Sequence, residues 1–318
     1  PVYAVLPPCS LSLYRDFGQF FFIFRLLLKV YILSTKKRNT ASRKPSSSSS
    51  RSSGGRRVKR QTQTRTMPKW LRNVLAVCIV LFLSASFYWF FVRPYAYRWK
   101  PCYGRKGYGV CIPCSYEVHG IDISHYQGDI DWPMLARNRQ SDFPIHFIFM
   151  KATEGGDHGD SCFARNFSKA HEYGFVRGAY HYFIPQTDPV RQADFFIHTV
   201  QLDSGDLPPV LDVETLGRKT VDELKASVKI WLNRVEQHYG IKPILYTSYK
   251  FKQRYLNDSV FNTYPYWIAH YYVDSVRYSG RWDFWQHTDV GRVPGIEEEV
   301  DLNVFNGTLE ELTGMTLK

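Results

Sequence analysis

Residues 207–214 read Leu-Pro-Pro-Val-Leu-Asp-Val-Glu, and this stretch decides the fold because it has the form of a buried strand ending in two acidic residues. Short apolar runs that are rich in β-branched or aromatic side chains and bounded by turn residues predict β-strands. Seven further runs of this kind occur, at residues 120–124, 146–152, 176–183, 244–247, 266–269, 284–286 and 300–302. The sequence therefore predicts eight strands, with residues 210–214 as the fourth.

Helical patterns separate the early strands. They cover residues 132–138, 162–173, 189–200 and 220–239, and the last begins with a capping box formed by Thr220 and Glu223. After Thr247 the spacers become short and less helical. Repeated β-α units predict a parallel sheet. Eight of them predict an α/β fold, a modified TIM-like β/α barrel with eight strands and reduced helices in its second half.

The net charge of +12 is concentrated in the N-terminal part of the chain. Residues 1–100 contain 19 of the 41 Lys and Arg and a single acid, Asp16, whereas the remainder has 22 basic and 28 acidic residues. Residues 1–73 are predicted to be a basic low-complexity tail, and Met67 is a candidate start because an export signal follows it. No aromatic residues are interleaved with the basic ones, so we expect no nucleic-acid partner.

An uncharged apolar run extends from Val74 to Val92, which is about the length of a membrane-spanning helix. Its stronger basic flank is N-terminal, which predicts a cytoplasmic tail and a C-terminal part in the periplasm or outside the cell. The alternative is a cleaved signal peptide with a cleavage site at Ser84-Ala85-Ser86, which would make the protein secreted. The aromatic residues 87–91 continue the run and favour an uncleaved signal anchor.

Residues 93–117 are predicted to be a cysteine-containing linker, followed by the barrel at 118–318. Cys102, Cys111, Cys114 and Cys162 allow up to two disulfides in an oxidising compartment, and the sequence does not choose among three connectivities. Cys111 and Cys114 also have the spacing of half a zinc site or a redox pair. No second pair of ligands accompanies them, which favours a structural disulfide.

Asp212 and Glu214 are two residues apart on a strand, so their side chains lie on one face. At the carboxyl end of a barrel strand that face borders the active-site mouth. Asp122 and Asp301 occupy similar positions in the first and last strands, which become neighbours when the barrel closes. A cluster of acids can bind Ca²⁺ or Mg²⁺, but these lack a compact loop spacing, and no His pair suggests zinc. We expect no metal and no cofactor.

Aromatic and polar residues near the same strand ends are candidates for substrate binding. Sugars stack their apolar faces on aromatic rings and leave their hydroxyl groups for polar partners, so these residues suit a glycan cleft. The candidates are Tyr180, His181, Tyr246, Trp267, Trp285 and Gln286.

Together these motifs resemble family 25 of the glycoside hydrolases, the muramidases called Chalaropsis-type lysozymes. The resemblance covers almost all of residues 119–308 and rests on the order and spacing of several motifs. They are Gly120-Ile-Asp-Ile-Ser124, Lys151-Ala-Thr-Glu-Gly155, Gly178-Ala-Tyr-His-Tyr-Phe183, Leu207 to Glu214, Trp267-Ile-Ala269, Phe284-Trp-Gln286 and Val300-Asp-Leu-Asn303.

The resemblance implies a modified β/α barrel that needs no cofactor and hydrolyses the β-1,4 bond between N-acetylmuramic acid and N-acetylglucosamine in peptidoglycan. It makes Glu214 the general acid and Asp122, Asp212 and Asp301 the other carboxylates of the mouth. Anionic neighbours such as Asp212 are expected to raise the pKa of Glu214. Asp212 is either a nucleophile or the residue that orients the 2-acetamido group of the substrate, and we favour the second, a retaining, substrate-assisted reaction.

Two other functions are compatible with the sequence. One is a catalytically silent glycan-binding protein, against which the retention of all four acids argues. The other is a hydrolase that acts on chitin. In each case we expect a monomer, with peptidoglycan as the partner in the favoured interpretation and a membrane contact through Val74 to Val92.

Overall fold

The computed structural model describes residues 68–93, 102 and 104–318. Residues 1–67 of the predicted tail and residues 94–101 and 103 of the predicted linker lie outside the described residues. Helix α1 spans Lys69–Phe87 and continues as a π-helical turn, Tyr88–Val92. It is long and apolar enough to cross a membrane by length and composition. Core helices and signal sequences share these properties, so the anchor stays a prediction.

A hairpin lies within the segment predicted to be a linker. Strand β1, Arg105–Gly107, pairs antiparallel with β2, Val110–Ile112. A disulfide joins Cys102 to Cys111, and the other cysteines of the described chain, Cys78, Cys114 and Cys162, are free. The hydroxyl of Tyr108 donates to the backbone oxygen of Phe143 over 2.6 Å and ties the hairpin to the barrel. This part of the chain is therefore folded, and Cys111 and Cys114 form no redox pair.

A closed sheet forms the centre of the C-terminal part. Its strands are β3 Val118–Ile123, β4 Ile145–Glu154, β5 His158–Gly159, β6 Val176–Tyr182, β7 Val210–Asp212, β8 Ile244–Ser248, β9 Tyr266–Ala269, β10 Phe284–Gly291 and β11 Val300–Phe305. The order is β3-β11-β10-β9-β8-β7-β6-β4, and a pairing of β3 with β4 closes the barrel. Strand β5 is a short addition to β4. The predicted eight-stranded barrel is confirmed.

Strand β11 runs antiparallel to both of its neighbours, β10 and β3. The expectation of a uniformly parallel sheet is therefore wrong for the last strand. A parallel connection needs a crossover of about a dozen residues or more, and the loop of residues 292–299 is too short for one. As a result, the start of β11 lies beside the carboxyl ends of the other strands.

The helices that cover the barrel are longer in its first half. They are α2 Trp132–Arg137, α3 Phe163–Glu172, α4 Pro189–Thr199, α5 Val221–Tyr239, α6 Tyr249–Tyr255 and α7 Leu309–Gly314. The predicted capping box of Thr220 and Glu223 is present at the start of α5. No helix connects β9 to β10 or β10 to β11 in this described region. The prediction of reduced helices in the second half is confirmed.

Aromatic side chains fill the interior of the barrel. The rings of Phe149 and Trp267 stack with centroids 4.5 Å apart, and Phe147 and Phe284 pack against Phe149. Space for these rings requires glycine at position 120, where a Cβ would lie 2.4 Å from Phe147. These packed rings, here called the floor, fill the interior of the barrel. The polar side chains at the carboxyl ends of the strands therefore line an open mouth and not a channel through the barrel.

Candidate active site

The four predicted carboxyl groups meet at one end of the barrel. Asp212 is the last residue of β7, and Glu214 follows it on the same side. Asp122 and Asp301 lie directly opposite each other on β3 and β11. Each of the four interacts electrostatically with at least one of the others. Asp301 lies near the start of β11, and it reaches the mouth because β11 is antiparallel to its neighbours. The sequence had suggested that β11 ends there.

Asp212 differs from the other three in having a buried carboxyl oxygen without a hydrogen-bond partner among the described residues. Its side chain is buried, and Oδ1 has no hydrogen-bond partner within the described part of the chain. Desolvation raises its pKa well above the usual value, and the nearby charges of Glu214 and Asp122 raise it further. A buried carboxyl oxygen without a partner is costly unless the group is neutral or a ligand supplies a donor.

Glu214 is exposed at the mouth, yet its pKa is also raised. The largest cause is desolvation within the concave mouth, and not the charge of Asp212 that the sequence suggested. The nearby hydroxyl of Tyr246 and the positive charge of Lys151 oppose this increase in pKa. Glu214 is thus accessible to substrate, and its raised pKa favours the protonated form. A general acid at neutral pH needs both properties.

Asp122 and Asp301 form a carboxyl pair. Desolvation and the charge of Asp122 raise the pKa of Asp301 to about 9. Desolvation also raises the pKa of Asp122, to about 6, while hydrogen bonds from Asn303 and Gln286 oppose the increase. Two adjacent carboxyl groups do not ionise together easily, so the pair holds one proton over a wide pH range.

Lys151 and Glu154 also border the mouth, although only their motif was recognised in the sequence. Nζ of Lys151 lies 2.6 Å from Oε2 of Glu154. Residues three apart on a regular strand face opposite sides, but Lys151 pairs with Tyr180 and Thr153 with His181, so Ala152 is an extra residue. This bulge places Lys151 and Glu154 on one face. Lys151 supplies the positive charge that lowers the pKa of both Asp212 and Glu214.

Four of the six predicted substrate-binding residues have side chains inside the barrel. Tyr180 and Tyr246 interact with the charges of the mouth, and the Tyr246 hydroxyl donates to Oε1 of Gln286 over 2.7 Å. Trp267 lies deeper, in the floor, and is 2% exposed. Its indole nitrogen donates to Oδ1 of Asn303 over 2.8 Å. Trp267 therefore supports the site from below and does not present a ring to substrate.

His181 and Trp285 point away from the mouth, contrary to the prediction that they bind substrate. His181 stacks on Trp231 of α5 and hydrogen-bonds to Thr153 over 2.7 Å. Burial lowers its pKa to about 4. Trp285 is buried, and its Nε1 donates to the backbone oxygen of His270. Both residues are strand neighbours of inward-facing ones, so the alternation of side chains already excluded them.

Tyr182 and Tyr271 belong to aromatic clusters of the sequence but were not among the predicted substrate-binding residues. Tyr182 lies opposite Glu154 on β6 and interacts with the charges of Glu214 and Asp212. The hydroxyl of Tyr271 donates to Oε1 of Gln286 over 2.6 Å. Tyr271 follows β9, and no periodic pattern marks a loop residue. Within the described residues, no group of three or more His, Cys, Asp or Glu is arranged to hold a metal ion.

Comparison with protein families identifies a related family. A model described as "Glycosyl hydrolases family 25" matches residues 121–296. The Escherichia coli K12 protein YegX is 45% identical over 217 residues, which cover 68% of this chain and 78% of that protein. Lysozyme M1 of Streptomyces globisporus is 32% identical over 213 residues, covering 62% of this chain and 71% of the lysozyme.

Solved structures of similar fold include two bacterial enzymes. A family 25 glycosyl hydrolase from Bacillus anthracis has a TM-score of 0.58 and 32% identity, covering 63% of this chain and 94% of that one. A bacterial lysozyme from Streptomyces coelicolor has a TM-score of 0.58 and 29% identity, covering 64% of this chain and 98% of that one. The similarity thus spans nearly all of each solved structure and 63–64% of this chain.

Proposed function

This chain belongs to glycosyl hydrolase family 25, and we propose that it is a muramidase that cleaves the β-1,4 bond between N-acetylmuramic acid and N-acetylglucosamine in peptidoglycan. It is a glycosidase. The observation that carries the mechanism is the contrast between Glu214, which is exposed, and Asp212, which is buried with one unpartnered oxygen. The two carboxyl groups of one strand thus have different environments and, in our proposal, different roles.

Glu214 is the proton donor in this proposal. Its raised pKa keeps it protonated at a higher pH than an ordinary glutamic acid, and its exposed position allows contact with a bound glycosidic oxygen. As the glycosidic bond breaks, Glu214 transfers its proton to the leaving oxygen, and no alkoxide forms. Water then attacks the anomeric carbon, and Glu214 takes back a proton from it.

Asp212 is placed to assist the substrate rather than to attack it. A protein nucleophile must face the opposite side of the sugar from the acid, with the two carboxyl groups about 5–5.5 Å apart. Asp212, at the end of β7, and Glu214, two residues on, instead project from the same face, so both approach a bound sugar from one direction. We infer that the 2-acetamido oxygen of the substrate attacks the anomeric carbon while Oδ1 of Asp212 accepts the acetamido N–H. A donor at this oxygen favours the charged form of Asp212, which stabilises the positive intermediate.

We further propose that the chain acts as a monomer held at a membrane through Val74 to Val92. The supporting observation is helix α1 with its π-helical extension, which is long and apolar enough to span a bilayer. In this proposal the anchor is residues 74–92, which lie within α1 and its π-helical extension, and the hydrolase is residues 118–318, whose first residue begins β3. An anchored enzyme gains effective concentration at a nearby wall.

The activity is tested with the full chain in detergent and purified peptidoglycan. We expect release of new reducing ends at N-acetylmuramic acid, identified by mass spectrometry of the reduced products, and no comparable release from chitin. Glu214→Gln is expected to lower kcat by at least about 100-fold, since it removes the acid. Glu310→Gln, an exposed change on α7, is the matched control. Equal release by wild type and Glu214→Gln would contradict the proposal.

The membrane contact is tested separately by fractionation of cells that express the full chain. We expect the intact protein in the membrane fraction, extractable by detergent but not by high salt, with the C-terminal part accessible to protease from outside the cytoplasm. A soluble protein whose N-terminus begins after Ser86 would instead support signal cleavage and a secreted enzyme.

A further inference from the structure

The Asp122 carboxylate lies at the centre of a buried hydrogen-bond network beside Glu214. Its Oδ2 accepts from Nδ2 of Asn303 over 2.7 Å and from Nε2 of Gln286 over 2.8 Å. Asn303 is 0% exposed and Gln286 is 2% exposed. Buried amides that donate to one carboxylate oxygen fix both its position and its charge.

The orientation of the Asn303 amide is fixed from its other end, and that of Gln286 is supported there. The indole nitrogen of Trp267 is a donor only, and it donates to Oδ1 of Asn303, so Nδ2 of Asn303 must face Asp122. The hydroxyls of Tyr246 and Tyr271 both donate to Oε1 of Gln286, over 2.7 and 2.6 Å. Rotation of the Asn303 amide would place its NH₂ group against the indole N–H, which cannot accept a hydrogen bond. The tyrosine hydroxyls can also accept, so the orientation of Gln286 follows that of the Asp122 carboxylate to which it donates.

The network selects which member of the carboxyl pair is charged. Two N–H donors to Oδ2 bind a carboxylate more strongly than a neutral carboxyl group, so Asp122 favours the ionised form. Asp301 hydrogen-bonds to Asp122 from the neighbouring strand, β11, and within the described residues no amide donates to its carboxyl group. The proton of the pair therefore belongs on Asp301, from which it is donated to Asp122.

We propose that Asn303 and Gln286 are positioning residues that hold Asp122 as the anionic member of the Asp122–Asp301 pair and leave the shared proton on Asp301. The consequence for catalysis rests on the proposed function. A fixed anion at the mouth stabilises the positive charge that develops on the sugar as the glycosidic bond breaks, and it needs no reorganisation at that moment.

The other groups that face Asp122 do not provide this stabilisation. They come from β6, β7, β8, β11 and the loop after β9, and they are Tyr180, Asp212, Glu214, Tyr246, Asp301 and Tyr271. Ionised Glu214 raises the pKa of Asp122. The three tyrosines stay neutral because burial raises the pKa of each. Besides Asp301 itself, the two amides are the groups that lower the pKa of Asp122.

The experiment measures the carboxyl groups directly. The full chain is labelled with ¹³C at the Asp carboxyl carbons, held in detergent and titrated by NMR, and Asp122→Asn and Asp301→Asn assign the two signals. In wild type we expect Asp122 to ionise first. In Asn303→Leu we expect the pKa of Asp122 to rise by about one unit, the effect of one lost hydrogen bond to a charged group. Tyr271→Phe should raise the pKa of Asp122 by less, because Gln286 loses one of its two tyrosine partners and keeps the hydrogen bond from Tyr246.

The matched control is Gln192→Leu. Gln192 is equally buried and its Nε2 donates to two backbone oxygens, but it lies outside the barrel beside His181. We expect this variant to lose stability without any change in the Asp122 signal. In Asn303→Leu the acid limb of kcat/KM for peptidoglycan should move upward with the NMR pKa, while in Gln192→Leu it should not move.

An Asn303→Leu chain that loses stability like Gln192→Leu but keeps the wild-type Asp122 signal would overturn the proposal. If Asn303→Leu does not fold, Tyr271→Phe decides, and an unchanged Asp122 signal in that variant likewise overturns it. The NMR titration needs no activity. A wild type that shows the expected titration but leaves peptidoglycan uncut would refute the proposed function and leave the positioning role intact.

Discussion

Asp301→Asn is expected to stabilise the folded chain at neutral pH, although it removes a residue of the site. The pKa of Asp301 is raised from 3.8 to about 9 in the folded protein, so folding at pH 7 requires the uptake of a proton. The interval from 3.8 to 7 corresponds to about 4 kcal/mol for an isolated group. Because Asp122 titrates together with Asp301, we expect about half of this, about 2 kcal/mol. The Asn amide replaces the protonated carboxyl as the donor to Asp122.

The sign of the pH dependence makes this prediction specific. A raised carboxyl pKa contributes stability below the unfolded value of 3.8, and that contribution is lost as the pH rises toward 9. The variant and wild type should therefore unfold alike near pH 3 and diverge as the pH rises.

Thermal unfolding in constant detergent is the assay, and about 2 kcal/mol corresponds to a rise in Tm of about 4–8 °C at pH 7 for a domain of this size. Asp129→Asn, which alters an exposed ion pair with Arg165, is the control and should change Tm little. A lower Tm for Asp301→Asn at pH 7, or a difference that does not grow with pH, would refute the reasoning.

Three further predictions concern the site and its floor. Asp212→Asn should lower kcat, measured by steady-state kinetics, by about 100-fold or more, because an amide does not supply the negative charge that stabilises the positive intermediate. If an added external nucleophile restores part of the activity of this variant, Asp212 is itself the nucleophile and the proposed role is wrong. Lys151→Met removes the charge that lowers the pKa of Glu214 and Asp212, so the alkaline limb of kcat/KM should move to higher pH, and an unchanged or lower limb would contradict the assignment. Gly120→Ala should cost about 1–3 kcal/mol in urea unfolding because its Cβ would lie 2.4 Å from the Phe147 ring, whereas Gly314→Ala, with open space around it, should have little effect.

Much of the fold follows from local patterns in the sequence. Each predicted strand is present because buried strands carry compact apolar runs, and the parity of side chains along residues 210–214 places Asp212 and Glu214 together. The same parity rule, applied to residues 180–182 and 284–286, separates His181 and Trp285 from their inward-facing neighbours. His181 and Trp285 were predicted from their chemical type, without asking on which face of the strand their side chains lie.

Other features depend on the assembled sheet and have no local signal. The bulge at Ala152 appears only in the register between β4 and β6, so the common face of Lys151 and Glu154 is not readable from their spacing. The depth of Trp267 depends on closure of the barrel around it. The direction of β11 follows from a short loop, and loop length is a signal that the sequence does contain.

The reversed last strand also determines where the barrel is attached to the rest of the chain. Phe305 at the end of β11 pairs with Val118 at the start of β3, so the chain enters and leaves the barrel at adjacent points, at the end opposite the carboxyl groups. A reporter or an immobilising tag joined beyond either point would therefore leave the substrate entrance unobstructed. A circularly permuted barrel, with residues 118 and 305 bridged by a short linker, is a feasible design for the same reason.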